Sequence, residues 1–180
     1  GFTALMGWGF MAPSTDFLNA FEAGDPRKDN TVDLGNQLIF KLLGAKDGSF
    51  KGNDNSPVNR VFIRYADVLL WKAEALIKDG QIPAGITIIN KIRQRARAGN
   101  SSILADRPTT GVDVTQAMRL LQHERRVELG FESHRLSDLK RWNLAKQTLN
   151  TLGKPFADKH MLFPIPQAEV DKTVGKISQN

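Results

Sequence analysis

The sequence predicts an all-α fold of helical hairpins joined by long irregular loops. Three observations predict it. Apolar residues recur at helical spacing through residues 61–150. Start and stop residues stand at the ends of those stretches, such as Asp79-Gly80, Pro83 and Gly99. Glycines and prolines crowd residues 1–60, from Gly7 to Pro57, and mark that segment as loop-rich. The 180 residues are 41% hydrophobic and 24% charged, which excludes a mostly disordered chain. No apolar run is long enough to span a membrane as a helix. With no cysteine, disulfides, thiolate metal sites and thiol nucleophiles are excluded within these residues. Lys+Arg exceed Asp+Glu by 25 − 19 = 6, a charge that permits acidic partners without requiring them.

Within residues 1–60 one short helix fits Ser14 to Glu22, capped by Ser14 or Thr15, with Phe17, Leu18 and Phe21 at helical spacing. Gln37 to Leu43 suits a short strand, and Lys46 to Ser56 a polar surface loop. Residues 61–99 read as a helical hairpin. Phe62, Ala66, Leu69, Leu70, Ala73, Leu76 and Ile77 form one stripe of its first helix; Val68, Trp71 and Ala75 lie opposite. A helix apolar on two faces is expected to be covered on both. The second helix presents Gly85, Ile88, Ile89, Ile92 and Ala96. The hairpin's length of about 34 residues, with small residues at Ala73 and Gly85, has the dimension of a tetratricopeptide unit. After a loop, Asp113 to Gln116 resembles a capping box. It opens a third long helix reaching about Phe131, and a further helix fits Ser137 to about Leu149. Residues 151–180 form a tail with an extended Phe163-Pro164-Ile165-Pro166 stretch and a helical turn at Gln167 to Asp171.

Glu124 and Glu128 fall in the apolar stripe of the third long helix, four residues apart, with Cβ atoms about 5–6 Å from each other. Such a pair could act as acid and nucleophile of a retaining glycoside hydrolase. Alternatively, Arg125, Arg126, Arg135 and Arg141 neutralise them in a buried network, since an unpaired buried carboxylate is costly. No metal site is expected: His123-Glu124 lacks the second histidine of a zinc-protease helix, and His123, His134 and His160 do not converge. Lys91, Arg93, Arg95 and Arg97 split between two flanks of their helix, as solvated residues do, so no nucleic-acid partner is expected. Nucleotide-binding glycine loops and a nucleophile elbow are absent. Trp8 and Phe10 stand between Gly7 and Gly9 in a loop; they could stack on sugar rings, or pin the loop to the helical body.

Four segments in order resemble one family. They are Pro13 to Phe21 with Asp25-Pro26-Arg27, and Arg64-Tyr65-Ala66-Asp67-Val68-Leu69-Leu70 with Ala73-Glu74-Ala75-Leu76. The third is Glu124-Arg125-Arg126-Val127-Glu128-Leu129-Gly130-Phe131-Glu132 with Arg135, Asp138-Leu139 and Arg141-Trp142; the fourth is Phe163-Pro164-Ile165-Pro166-Gln167 with Glu169. Together they are similar to the SusD/RagB family of outer-membrane nutrient-binding lipoproteins. Ser133 and Leu136 depart from the family pattern, as do Trp71 and Lys72.

The resemblance implies a tetratricopeptide-like all-α fold and the C-terminal part of a longer, lipid-anchored protein. It implies no catalytic residue and no cofactor. Such proteins hold an oligosaccharide or other nutrient at the extracellular face of the outer membrane, over a SusC-like TonB-dependent transporter. The ligand site is expected in loops, with Trp8 and Phe10 as its residues in this chain. The other readings are a hydrolase using Glu124 and Glu128, and a helical-repeat scaffold that binds proteins.

Overall fold

The structure, a computed structural model, describes residues 12–33, 35, 38–41 and 61–179. It divides into two compact units, Gly1–Ser133 and His134–Asn180.

In the first unit Ser14 caps α1 (Thr15–Leu18), its hydroxyl accepting the Phe17 N–H at 3.2 Å. The helix is shorter than its apolar spacing suggests. Phe17 instead packs edge-on against Phe21 and Phe131, at 5.0 and 5.1 Å between centroids. A turn at Asp25-Pro26 leads into α2 (Arg27–Thr31), which the periodicity does not reveal. Within the expected strand, β2 (Leu38–Ile39) pairs antiparallel with β1 (Val32–Asp33), Val32 opposite Ile39; Gln37, Leu42, Leu43 and the loop expected from Lys46 to Ser56 lie outside the described residues.

The hairpin forms as its spacing predicts. Ala66, Leu70, Ala73 and Ile77 turn inward from α3 (Tyr65–Lys78), while Gly85, Ile86, Ile89, Ile92 and Ala96 do so from α4 (Ile82–Arg97). At Gly80 the backbone turns left-handed, with φ of 83°, and Pro83 stands in the first turn of α4. Gly85 lets the two helices approach: a Cβ there would lie 2.5 Å from Ile77 and 2.9 Å from the Ala73 carbonyl. At the far end of α4 the left-handed cap is Ala98, followed by Gly99.

The capping box is present at the start of α5 (Val114–Glu128). Asp113 accepts the Gln116 N–H at 2.7 Å, and the Gln116 side chain accepts the Asp113 N–H at 3.0 Å. Ala117, Leu121 and Leu129 complete a core with Leu70, Ile77, Ile86 and Ile89. Each fully buried Leu or Ile stabilises by about 1.5–3 kcal/mol. The helix ends at Glu128 rather than near Phe131, where φ is 63°. Gly130 lies where a Cβ would meet the Phe17 ring at 2.4 Å. Among the described residues the second apolar face of α3 is only partly covered, with Val68 and Trp71 43% and 44% exposed.

In the second unit the helix expected from Ser137 to Leu149 is broken. It consists of α6 (Arg135–Arg141) and α7 (Ala145–Thr151), separated by Asn143 with φ of 58°. Asparagine tolerates this left-handed conformation, and the Leu144 N–H closes the turn on the Leu139 carbonyl at 2.8 Å. Leu139 and Ala145 are buried on either side of the break. A 3₁₀ turn (Asp158–Met161) and the short α8 (Gln167–Lys172) follow. Lys140 donates to the Met161 carbonyl at 3.1 Å and lies 4.7 Å from the Phe163 ring centre. The Gln179 amide bonds both backbone groups of Ile165, its oxygen accepting the N–H at 3.0 Å. No helix among the described residues is long and apolar enough to cross a membrane.

Candidate functional site

The inward turn of α5 carries two carboxylates, Glu124 at 0% and Glu128 at 2% exposure. They sit between Leu121 and Leu129, where an ion without partners would cost several kcal/mol. Every one of their four oxygens accepts a guanidinium N–H. Arg27 Nη1 reaches Glu124 Oε1 at 2.5 Å and Glu128 Oε2 at 3.1 Å. Arg93 Nη1 reaches Glu124 Oε2 at 3.2 Å. Arg64 Nη1 donates to Glu128 Oε1 at 2.7 Å, and Arg95 Nη2 donates to both Glu128 oxygens at 2.7 and 2.9 Å.

Three of these four arginines are held in turn. Asp25 takes the Nε and Nη2 donors of Arg27 at 2.9 and 2.7 Å, and α2 presents that side chain inward. Arg93 is fully buried, forked onto Glu22 at 2.7 and 2.9 Å with its other donors on the Ala105 carbonyl. Arg64 also binds Glu132 at 2.6 and 2.9 Å. Lys41 joins Glu132 and the Glu128 carbonyl, each at 2.5 Å. The end of α5 thus fastens both Lys41 and Arg64, 23 positions apart.

The charge balance decides the chemistry. Burial raises the Glu128 pKa, but Arg64, Arg95 and Arg27 outweigh it and hold the group below the ordinary carboxylate value. Glu132 is lowered in the same way, burial being overcome by Arg64 and Lys41. The Arg93 hydrogen bond brings Glu22 down to about 2, against opposing desolvation. A glycosidase acid needs the reverse, a carboxyl kept protonated near neutral pH. Glu128 is held ionised, and its oxygens, like those of Glu124, are all taken by guanidinium donors.

The arginines that neutralise the pair are not those nearest in sequence. Arg125 pairs with buried Asp67 at 2.8 Å, Arg126 with Asp16, and Arg141 with Asp138 at 2.9 Å. Helical geometry explains this: residues one or two positions from Glu124 project from other faces of α5. Three members of the supposed solvated flank are spent internally as well. Arg93 is buried, Arg95 reaches Glu128 and Arg97 pairs with Asp106. Among the described residues no three metal-ligating side chains converge. His123 Nε2 lies 3.5 Å from Glu22, and burial lowers the His123 pKa. Trp8 and Phe10 lie outside the described residues.

The network gathers residues from three of the four motif segments: Asp25 and Arg27, then Arg64, then Glu124, Glu128 and Glu132. The SusD family profile matches residues 25–180. The chain belongs to the SusD family. It is 32% identical over 185 aligned residues to a SusD-like protein, P25, of Formosa agariphila, covering 93% of this chain and 33% of that protein. A second SusD-like protein of that organism, P2, is 31% identical over 134 residues, 69% of this chain and 26% of the relative. Among solved structures, a SusD superfamily protein of Bacteroides vulgatus superposes with a TM-score of 0.68 at 29% identity, covering 95% of this chain and 44% of its own. A surface glycan-binding protein of Bacteroides thetaiotaomicron shares the fold, with a TM-score of 0.67 at 19% identity, over 97% of this chain and 42% of its own. The chain therefore spans about a quarter to a third of the curated relatives it matches. Its fold is all-α and tetratricopeptide-like.

Proposed function

We propose that this SusD-family chain is part of a cell-surface receptor that binds an oligosaccharide nutrient without altering it. The receptor hands the sugar to a SusC-like TonB-dependent transporter. It is lipid-anchored at the extracellular face of the outer membrane in its full-length form. The observation that carries the non-catalytic reading is the occupation of all four Glu124 and Glu128 oxygens by arginine donors. A site whose carboxylates are spent on fixing the chain has no proton or electron pair to offer a glycosidic bond. The name of the Bacteroides thetaiotaomicron structural neighbour supports a glycan as the ligand class.

Trp8 and Phe10 are the proposed ligand contacts, as faces on which sugar rings stack. Calorimetry of the full-length protein against a polysaccharide panel tests this. One glycan should bind with no reducing ends released, and Trp8→Ala should weaken it about tenfold, the worth of roughly 1.4 kcal/mol. Unchanged affinity in Trp8→Ala would remove that residue from the site. Sugar release by the wild type, abolished in Glu128→Gln, would replace the receptor with a hydrolase. Copurification of a large barrel transporter from membrane extract is expected; its absence favours a protein-binding scaffold.

A further inference from the structure

The second unit carries most of the chain's positive charge. From His134 to Asn180 stand eight Lys and Arg residues against four Asp and Glu, so 8 − 4 = 4 of the surplus of 6 lies there. The four acids are all engaged within the unit: Asp138 with Arg141, Asp158 with Lys146, Glu169 with Lys172, and Asp171 with the Gln167 amide. Lys140, in the last turn of α6, is half-buried and has no carboxylate partner among the described residues. Its ammonium donates one hydrogen bond, to the Met161 carbonyl at 3.1 Å. The Phe163 ring centre lies 4.7 Å from it and the Phe156 ring centre 6.0 Å. Aromatic rings attract a cation without neutralising its charge. An ammonium has three donors, so two remain for an anion, and a charge-assisted bond there is about twice as strong as a neutral one.

The surroundings are built. Asn150 grips Phe156 by both backbone groups, its amide donating to the carbonyl at 3.1 Å and its oxygen accepting the N–H at 2.8 Å. His160 Nδ1 accepts the Ala157 N–H at 3.0 Å, and its ring meets Phe156 edge-on at 5.4 Å between centroids. Gln179 holds Ile165, two residues beyond Phe163. Beside the ammonium, Phe163 is 80% exposed and Leu162 65%. An inorganic ion uses only the charge of this site, and a neutral sugar only its apolar surface. A sugar ring bearing a carboxylate uses both, its C–H surface against Phe163 and its acid on Lys140.

We propose that Lys140, bordered by Phe163 and Phe156, is a subsite for a uronic acid ring, which makes the glycan class of this receptor anionic. The subsite rests on the receptor reading but on neither Trp8 nor Phe10. NMR of the full-length protein, labelled with ¹³C at lysine Cε and in the phenylalanine rings, tests it. The probes are glucuronate and galacturonate, with glucose, galactose and sodium sulfate as controls. At least one uronate should shift the Lys140 and Phe163 resonances, identified by Lys140→Met and Phe163→Leu, and bind at least fivefold more tightly than its neutral twin or sulfate. Lys140→Met should weaken that uronate about tenfold, whereas Lys140→Arg, which keeps the charge, should retain most of the affinity. Phe163→Ala, at an exposed position, should weaken it about threefold and serves as the second variant if Lys140→Met does not fold. No shift at either residue, a neutral sugar bound equally well, or uronate affinity unchanged in Lys140→Met overturns the subsite. Sulfate bound as tightly as the uronate means an adventitious ion only and overturns it too. The receptor reading is judged apart by calorimetry: a neutral glycan bound while uronates are silent at Lys140 ends the subsite alone, and no glycan bound ends both.

Discussion

The first unit holds itself together in two different ways. Toward α4, α3 and α5 meet through Leu70, Ile77, Ile86, Ile89 and Leu121, a core without polar atoms on its side chains. One to two turns further along α5, Glu124 and Glu128 meet Arg27, Arg64, Arg93 and Arg95. Apolar burial is non-directional and grows with area, so it fixes which faces meet but tolerates small shifts. The ionic cluster is directional, and Glu124, Glu128 and Arg93 in it are buried away from water. Arg27 is 97 positions from Glu124, and Arg64 is 64 from Glu128. The apolar core therefore makes the hairpin; the ionic core fixes where the irregular segments around residues 22–41 and 64 run. A buried ion pair adds little beyond an apolar substitute, but removing one partner strands the other.

That contrast orders the expected damage. Glu124→Ala leaves Arg93 buried with one fewer carboxylate and should cost about 3–5 kcal/mol in chemical denaturation. Leu70→Ala, in the apolar half, should cost roughly 3 kcal/mol and leave the charged cluster intact. A Glu124→Ala loss below about 1 kcal/mol would mean that the two halves do not differ as described. Gly85→Ala should cost about 1–3 kcal/mol by pushing Ile77 and the Ala73 carbonyl away, and thermal melting would register it.

Acid separates the halves more gently. Glu22, Glu128 and Glu132 have folded pKa values below their unfolded ones. Their stabilisation is complete above the unfolded value near 4.5 and is lost as pH falls through the folded values, about 2 for Glu22. The melting temperature should fall by a few degrees between about pH 5 and 3. Glu128→Gln should flatten that slope, whereas Leu70→Ala should keep it, as scanning calorimetry at each pH would read.

The apolar half was legible in the sequence because periodicity reports faces. Ala66, Leu70, Ala73 and Ile77 gave one side of α3, Gly85 the close approach, and Asp113 with Gln116 the start of α5. Periodicity also placed Glu124 and Glu128 indoors. It could not name their partners, because pairing across 64 or 97 positions depends on where loops travel. Arg125 and Arg126 were near in sequence yet on the wrong faces. Arg93 looked like a flank residue because its charge argued for water, whereas Glu22, Glu124 and the Ala105 carbonyl replace that water. The break at Asn143 was masked by apolar residues that continue the period across it, although the asparagine itself was the signal. The family motifs held the missing information: Arg27 and Arg64 stand in two of them, and α5 carries the third.

The most direct measurement is a carboxyl titration by ¹³C NMR on protein labelled at glutamate, with Glu128→Gln identifying the Glu128 resonance. Glu128 should remain ionised down to below the ordinary value near 4.5, held there by Arg64, Arg95 and Arg27. A Glu128 carboxyl that titrates above about pH 6, as a proton donor in glycoside cleavage must, would contradict the structural role assigned to the cluster.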